Sequence, residues 1–358
     1  MASALQKLPR LAVEALVTLC VLALLVVISE GVLRLFAPGE EQPSSAKSVH
    51  AESLPRLHHT KDLAQPHVRG LNAGALYETN SAGFRGPERS RETPATVNRV
   101  AVIGDSTAMG WGVEEEDTYA ARLDLALDSD TGTDTVEVLN FGLAGLNIEE
   151  VIQRLEDLGL GFDPDVVVYG FALNDIKGPH YRASLDPEYA RSFFEHESNS
   201  RLWQWLRPVW LALVERAATP HGTFAYELDD NYFRNLEAWA SLRTQVERLA
   251  ELGRERDFCT LFLVQAQIQA LHFLHPYQRH YERVGELADE NGFHTLHSLE
   301  RLSEEDASGL WVSESDHHGN ARAHAIFAEI IAEGIRGLPP ECWESEVDPP
   351  ETREGVDS

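Results

Sequence analysis

A serine at the end of a predicted strand is the first candidate for chemistry in this chain. Ser106 closes the tripeptide Gly-Asp-Ser, which directly follows the apolar run 99–103. In parallel α/β sheets ligands bind at the carboxyl ends of the strands, so a hydroxyl at this point is a candidate nucleophile. A tight turn in which Ser106 caps the next helix would use the same residues. Other blocks of the sequence favour the first interpretation.

Three further blocks contain the groups that acyl transfer to a serine requires. Gly145 ends the block Asn-Phe-Gly-Leu-Ala-Gly, Asn174 lies in Tyr-Gly-Phe-Ala-Leu-Asn-Asp, and the block 316–320 reads Asp-His-His-Gly-Asn. A serine hydroxyl needs a base within hydrogen-bond reach, and the base needs a group that orients it. The oxyanion of the intermediate needs uncharged donors, such as a backbone N–H or an asparagine amide. Each block alone is compatible with a turn or a helix cap, so their joint occurrence is the specific signal.

The order and spacing of these four blocks resemble the SGNH/GDSL hydrolases. The resemblance implies an α/β fold, a flavodoxin-like three-layer sandwich with a mainly parallel sheet, and ester hydrolysis without a cofactor. It assigns Ser106 as nucleophile, His318 as general base and Asp316 as the acid that orients the base. It also assigns the backbone N–H groups of Ser106 and Gly145 and the side-chain amide of Asn174 to the oxyanion hole.

Segment 80–88, which reads Asn-Ser-Ala-Gly-Phe-Arg-Gly-Pro-Glu, is similar to a lead-in of a membrane-anchored branch of that family. Two departures from the family pattern stand out. Ala172 occupies the place of the glycine in Gly-x-Asn-Asp, and the usual Asp-x-x-His is shortened to Asp-x-His. The first change is small, whereas the second leaves two acid–base pairs to compare.

Two neighbouring histidines compete for the role of base. Glu314 with His317 would restore an acid-x-x-histidine spacing. Asp316 with His318 is favoured because residues two apart in an extended segment point to the same side, so that the imidazole can contact both the carboxylate and Ser106.

The same cluster also suggests a metal site as a minor alternative. Asp316, His317, His318 and His324 carry ligand atoms, but no cysteine pair and no His-Glu-x-x-His motif accompanies them. In the resembled family the later histidine, here His324, is structural. We therefore expect neither a metal nor a cofactor.

Short β-rich runs alternate with segments of helical periodicity, and this alternation predicts a parallel sheet that positions the four blocks. The predicted strands are 99–104, 136–141, 165–171 and 258–265, and the predicted helices are 148–158, 233–256, 277–290 and 321–335.

The chain divides into an anchor, a linker, one catalytic domain and a tail. Segment 11–29 has Glu14 as its only charge and is long enough to span a bilayer as a helix, although a cleaved signal peptide is the alternative. A tryptophan-rich insertion in the catalytic domain predicts a helical cap, with an ordinary packed helix as the alternative. The predicted parts are 1–36 (tail and transmembrane anchor), 37–70 (linker), 71–338 (hydrolase domain, with the cap at 177–232) and 339–358 (acidic disordered tail).

Composition argues against binding to nucleic acid. The 358 residues carry a formal charge of −28 and include four lysines, whereas phosphate binding depends on clustered cations. The three cysteines do not form a disulfide framework, and neither Cys20 nor Cys259 is a catalytic candidate.

These observations predict a single-pass, membrane-anchored serine hydrolase with its catalytic domain outside the cytoplasm. The expected substrate is a carboxylic ester, an acyl group on a carbohydrate or lipid. An O-acyltransferase with the same acyl-serine and a non-catalytic envelope binding protein are the alternatives. The sequence identifies no protein partner.

Overall fold

The computed structural model describes residues 25, 29, 54–57, 60–94, 96–131, 136–176, 224–268, 271, 275–314 and 316–342. The predicted anchor, apart from Leu25 and Ser29, and residues 177–223 of the predicted cap lie outside the described residues, as does the tail beyond 342. No helix among the described residues combines the length and apolarity needed to cross a membrane. The chain divides into two compact units, 1–48 with 182–227 and 49–181 with 228–358. The second unit holds the sheet and the candidate site.

The described strands and helices follow the predicted alternation. The strands are β1 (Arg69–Asn72), β2 (Ala75–Glu78), β3 (Asn98–Gly104), β4 (Val136–Asn140), β5 (Val166–Phe171), β6 (Cys259–Val264), β7 (His294–His297), β8 (Trp311–Ser313) and β9 (Asp316–Gly319). The helices are α1 (Thr60–Leu63), α2 (Ser106–Met109), α3 (Tyr119–Thr131), α4 (Ile148–Asp157), α5 (Phe224–Phe233), α6 (Leu236–Arg256), α7 (Gln278–Glu290), α8 (Leu299–Leu302) and α9 (Ala321–Arg336).

Five parallel strands form the central sheet in the order β4-β3-β5-β6-β7. The prediction of an α/β fold with a parallel sheet is therefore confirmed. β5 is buried at every position, as its run of valines and aromatic residues requires. The chain passes from β3 to β4 on one side and then crosses to β5 on the other. That reversal leaves a crevice at the carboxyl ends of β3 and β5, which is the usual place for a ligand in this strand order.

Helices with one apolar face cover the sheet. On α4 the buried residues recur at helical spacing, and Asn147 and Glu150 form a capping box at its start. α9 buries an alanine- and isoleucine-rich face and packs against α3. α6 packs against α4 and α7. These contacts fix the ends of the strands that carry the candidate residues.

The structure corrects the sequence analysis at two boundaries. The predicted helix 233–256 begins too early, because Phe233 is the last residue of α5 and α6 starts at Leu236, where Asn235 caps it by accepting a hydrogen bond from the Ala238 N–H. The predicted disordered tail begins too early, since Pro340–Cys342 forms a short 3-10 helix in which Cys342 is buried.

A disulfide, which the sequence analysis did not expect, holds that last helix to the sheet. Cys259, the first residue of β6, is bonded to Cys342 with an S–S distance of 2.00 Å. The bridge closes a loop across a sequence separation of 83 residues. Cross-links of this kind typically stabilise a fold by about 2–4 kcal/mol through restriction of the unfolded chain. The bridge therefore ties the end of the domain to an internal strand.

Candidate active site

Ser106 is the first residue of α2, directly beyond β3. Asp105 caps this helix, because its side chain accepts a hydrogen bond of 2.9 Å from the Thr107 N–H. The turn depends on Gly104, whose φ is +147° and where an added Cβ would lie 2.7 Å from the Gly170 carbonyl oxygen. Gly104 therefore cannot be replaced by a residue with a side chain, and the turn that it allows places Ser106 at the crevice between β3 and β5.

A hydrogen-bonded chain of three side chains extends from this serine. The Ser106 Oγ lies 3.0 Å from the Nε2 of His318. The Nδ1 of the same imidazole lies 2.5 Å from Oδ1 of Asp316, which also accepts a 3.1 Å hydrogen bond from the His318 backbone N–H. The candidate nucleophile, base and orienting acid thus lie at the distances that activation of a serine requires.

The Asp316 carboxylate is held in its ionised form. Burial alone would raise its pKa, but hydrogen bonds and charge from His318, together with a hydrogen bond from Trp111, outweigh burial and lower the pKa of Asp316 to about 2. An ionised carboxylate can only accept, so the proton between it and the imidazole belongs to Nδ1. The Nε2 atom is then free of a proton in the neutral imidazole and can accept the proton of Ser106.

The rival pair points elsewhere. The His317 ring contacts Trp311 in a tilted arrangement with ring centroids 4.3 Å apart, and its Nε2 lies 3.2 Å from the backbone carbonyl oxygen of Glu314. Successive side chains of β9 leave opposite faces of the strand, so His317 and His318 cannot both face the serine. The structure brings Asp316 and His318, rather than Glu314 and His317, to Ser106.

Asn174 lies in the short 3-10 helix after β5, on the far side of the crevice from β4. Its Nδ2 donates a 3.0 Å hydrogen bond to Oδ2 of Asp105, and the same oxygen lies 3.5 Å from Ser106 Oγ. Asp175 holds the preceding turn, because its Oδ2 accepts hydrogen bonds from the Tyr169 hydroxyl and from the Ala172 N–H. The asparagine amide and the serine are thus connected through one buried carboxylate.

The loop that contains Gly145 passes close to the last residues of α2. An added Cβ at Gly142 would lie 2.4 Å from the Met109 backbone nitrogen, so glycine is required where the loop meets the helix. Gly145 is exposed and has a φ of +83°. The carbonyl oxygen of Ala144, in the same peptide unit as the Gly145 N–H, accepts a 2.7 Å hydrogen bond from the Thr60 hydroxyl. In a trans peptide the N–H points away from that carbonyl, so Thr60 fixes the direction of the Gly145 donor.

Sequence reasoning missed two residues that support the site. The indole N–H of Trp111 donates a 2.8 Å hydrogen bond to Oδ2 of Asp316, and its ring stacks on His318. Arg85 is buried and donates hydrogen bonds to the carbonyl oxygens of Gly110 and Val113, on either side of Trp111. Arg85 belongs to the lead-in 80–88, but no local pattern indicates its contact with the loop that follows α2.

His324 lies beneath the site as a neutral, buried acceptor. Its Nδ1 accepts a 3.1 Å hydrogen bond from the Tyr119 N–H. Burial, together with the positive charges of Arg85 and Arg122, lowers the pKa of His324 to about 3. Across the described part of the chain no three histidine, cysteine or acidic side chains are grouped as metal ligands.

Stability is expected to fall as the pH decreases from about 6.5 to 3, because the unfolded chain then binds a proton that the buried His324 excludes. Below that range both states are protonated at this site, and its contribution is lost. The variant His324→Gln, which keeps an acceptor for Tyr119, should show a shallower slope. Urea unfolding between pH 8 and 3 measures the slope of the free energy of unfolding against pH, and His294→Gln, at an exposed histidine, is the control. An unchanged slope in His324→Gln would contradict the assignment.

No family model matches the chain, and no curated protein matches it. Similar solved structures include the acetyl xylan esterase AlAXEase, with 18% identity and a TM-score of 0.41 over 66% of this chain and 99% of that one. TesA has 17% identity and a TM-score of 0.43 over 68% of this chain and 100% of that one. A putative lipolytic protein of the G-D-S-L family from Desulfitobacterium hafniense has 13% identity and a TM-score of 0.40 over 66% of this chain and 99% of that one.

Proposed function

We propose that this protein is a serine hydrolase that cleaves a carboxylic ester through an acyl-serine intermediate. The hydrogen-bonded chain from Ser106 through His318 to Asp316 carries the proposal. Gly145, in a loop, and Asn174, in a short 3-10 helix, supply donors for the proposed oxyanion hole. No cofactor enters this mechanism.

In this mechanism Ser106 Oγ attacks the ester carbonyl carbon while its proton passes to Nε2 of His318. Asp316 stabilises the imidazolium that forms and keeps its Nδ1 proton in place. The tetrahedral intermediate collapses as the imidazolium protonates the departing alcohol oxygen. Water, deprotonated by the same imidazole, then attacks the acyl-serine, and the carboxylic acid leaves with the serine proton restored.

The oxyanion hole would consist of the backbone N–H groups of Ser106 and Gly145 and the amide of Asn174. An asparagine amide has two N–H donors, and one of them is committed to Asp105. That bond orients the amide plane, and the second donor is the one assigned to the oxyanion. Thr60 likewise orients the Gly145 peptide, because its hydroxyl donates to the carbonyl oxygen of that peptide unit.

Replacing Asn174 with alanine is expected to lower kcat by about 10²–10³ with little change in KM, because the amide meets the oxyanion only as charge develops. Steady-state hydrolysis of p-nitrophenyl acetate measures both constants. Asn235→Ala, which removes an exposed capping asparagine, is the control and should leave kcat unchanged. An effect of Asn174→Ala that is confined to KM would assign the residue to substrate binding instead.

A fluorophosphonate probe tests the proposed class of protein directly. The probe should label the purified protein once, on the peptide that contains Ser106, because it reacts with serines activated by a base. Absence of labelling in a folded sample would favour the non-catalytic binding protein. For the substrate we propose an acyl group on an extracytoplasmic carbohydrate or lipid, to be tested with acetyl, butyryl and long-chain esters and acetylated glycans.

Segment 11–29 is proposed to be an uncleaved membrane anchor. The full-length protein is then expected to stay with membranes after an alkaline carbonate wash and to retain its N-terminus. The matched variant combines Val17→Lys with Val21→Lys, because each lysine near the centre of a spanning helix costs about 3 kcal/mol on insertion scales. This double variant is expected to be released from the membrane by the wash. Recovery of a soluble wild-type chain that begins after Ser29 would show a cleaved signal peptide instead.

A further inference from the structure

Trp111 makes the contact to the triad that the mechanism above does not use. Its Nε1–H donates to Oδ2 of Asp316 at 2.8 Å, whereas Oδ1 of that carboxylate is occupied by the side chain and backbone of His318. Each oxygen of the Asp316 carboxylate is therefore held by a different residue, Oδ1 by His318 and Oδ2 by Trp111. The indole ring also stacks on the His318 imidazole, with centroids 5.3 Å apart and planes at 28°.

We propose that Trp111 is a positioning residue that fixes the rotation of the Asp316 carboxylate and, through it, the direction of the His318 imidazole. The proposal rests on the proposed esterase function. A carboxylate with one oxygen in use can rotate about its bond to the β-carbon, and rotation of Asp316 would move the acceptor away from Nδ1. A hydrogen bond to the second oxygen prevents that rotation, and the stacked indole limits the tilt of the imidazole.

Hydrogen bonds fix the backbone of Trp111 and of residues on both sides of it in the sequence. The Trp111 backbone N–H donates to the Ser106 carbonyl oxygen at 3.0 Å, which links it to the nucleophile's own helix. Arg85 Nη1 donates to the Gly110 carbonyl oxygen at 2.7 Å, and Nη2 donates to that of Val113 at 2.7 Å. Arg85 is only 1% exposed and is paired with Glu115 at 2.7 Å.

The next glycine adds a contact to the hairpin that carries Asp316 and His318. Gly112 has a φ of +75°, and an added Cβ there would lie 2.8 Å from Val312 of β8. The loop after α2 therefore meets the β8–β9 hairpin through backbone as well as through the indole. This arrangement gives the lead-in residue Arg85 a role, since it secures the loop from which Trp111 reaches the acid.

The chain offers a matched control in Trp311. It is also half-buried, also donates its indole N–H to an oxygen (the Ile268 carbonyl, at 2.9 Å), and also contacts a histidine ring, that of His317, although with the two planes tilted by 39°. Trp111→Phe and Trp311→Phe thus remove the same group from two similar environments. Only the first environment includes a triad oxygen.

Trp111→Phe is expected to lower kcat for p-nitrophenyl acetate about 10-fold with KM within about twofold, whereas Trp311→Phe should change kcat less than twofold. Trp111→His, which returns a ring N–H, should recover part of the loss. In an Asp316→Ala background the further loss from Trp111→Phe should be under twofold, because Trp111 acts through that carboxylate. Thermal melts of each variant accompany the kinetics.

Equal kcat values for Trp111→Phe and Trp311→Phe would overturn the proposal, as would a 10-fold loss that persists in the Asp316→Ala background. Ser106→Ala, assayed in parallel, separates these failures from failure of the esterase proposal, which would appear as retained turnover in Ser106→Ala itself. Should Trp111→Phe not fold, ¹⁵N-tryptophan labelling provides an independent measurement. One indole N–H signal is expected to lose protection from exchange in Asp316→Ala, and a spectrum in which none changes would contradict the hydrogen bond.

Discussion

Ser106→Ala is expected to reduce ester turnover by several orders of magnitude while the fold stays intact. Loss of the nucleophile in a serine triad lowers kcat by about 10⁶ in a well-studied case, because the remaining groups can only assist direct attack by water. Ser106 sits on a helix that its neighbour Asp105 caps, so the hydroxyl is not needed to start α2. The oxygen removed is the one that lies 3.0 Å from His318 Nε2.

The measurement is kcat and KM for p-nitrophenyl acetate, with a thermal melt for each protein. Ser303→Ala is the control, because that exposed hydroxyl lies just beyond the end of α8 and donates its hydrogen bond to the Leu299 carbonyl oxygen, a contact outside the candidate site. Turnover in Ser106→Ala within tenfold of the wild-type value would remove Ser106 from the mechanism. A shared loss of activity and of melting temperature in both variants would point to unfolding instead.

The sequence carried enough information to predict the sheet, because β3 and β5 are apolar and nearly uniformly buried. β7 was not predicted, since three of its four residues, His-Thr-Leu-His, are polar and none of the four is fully buried. Its place in the sheet follows from pairing with β6, a long-range contact that no local pattern indicates. The interruption at Asn235 was missed for the opposite reason, because the apolar periodicity continues across it.

In the candidate site, too, some residues follow from local sequence rules and others depend on long-range contacts. The positions of Ser106 and Asn174 follow from rules about strand ends, and the two-residue spacing of Asp316 and His318 from the period of an extended segment. Trp111 could not be predicted, because its hydrogen bond to Asp316 spans 205 positions in the chain. The same holds for Arg85, whose side chain meets the carbonyl oxygens of a loop more than 20 residues away.

The proposed acid–base pair, Asp316 with His318, gives the second large expected effect. His318→Gln and Asp316→Asn should each lower turnover by about 10⁴, since a base that is absent or held in the wrong tautomer cannot accept the serine proton. The 2.5 Å contact between His318 Nδ1 and Asp316 Oδ1 places both residues in one unit. The double variant should therefore be little worse than His318→Gln alone, because members of a catalytic unit are not additive.

Glu314→Gln and His317→Gln serve as the matched controls, since they make the same chemical changes one step away on the same hairpin. His317 faces Trp311 rather than the serine, so both controls are expected to keep kcat within about threefold of the wild type. If the large losses followed Glu314 and His317, the strand would present its other face to Ser106 in solution, and the site would have to be rebuilt on that pair. If all four single variants were mild, proton transfer from Ser106 would not depend on this hairpin.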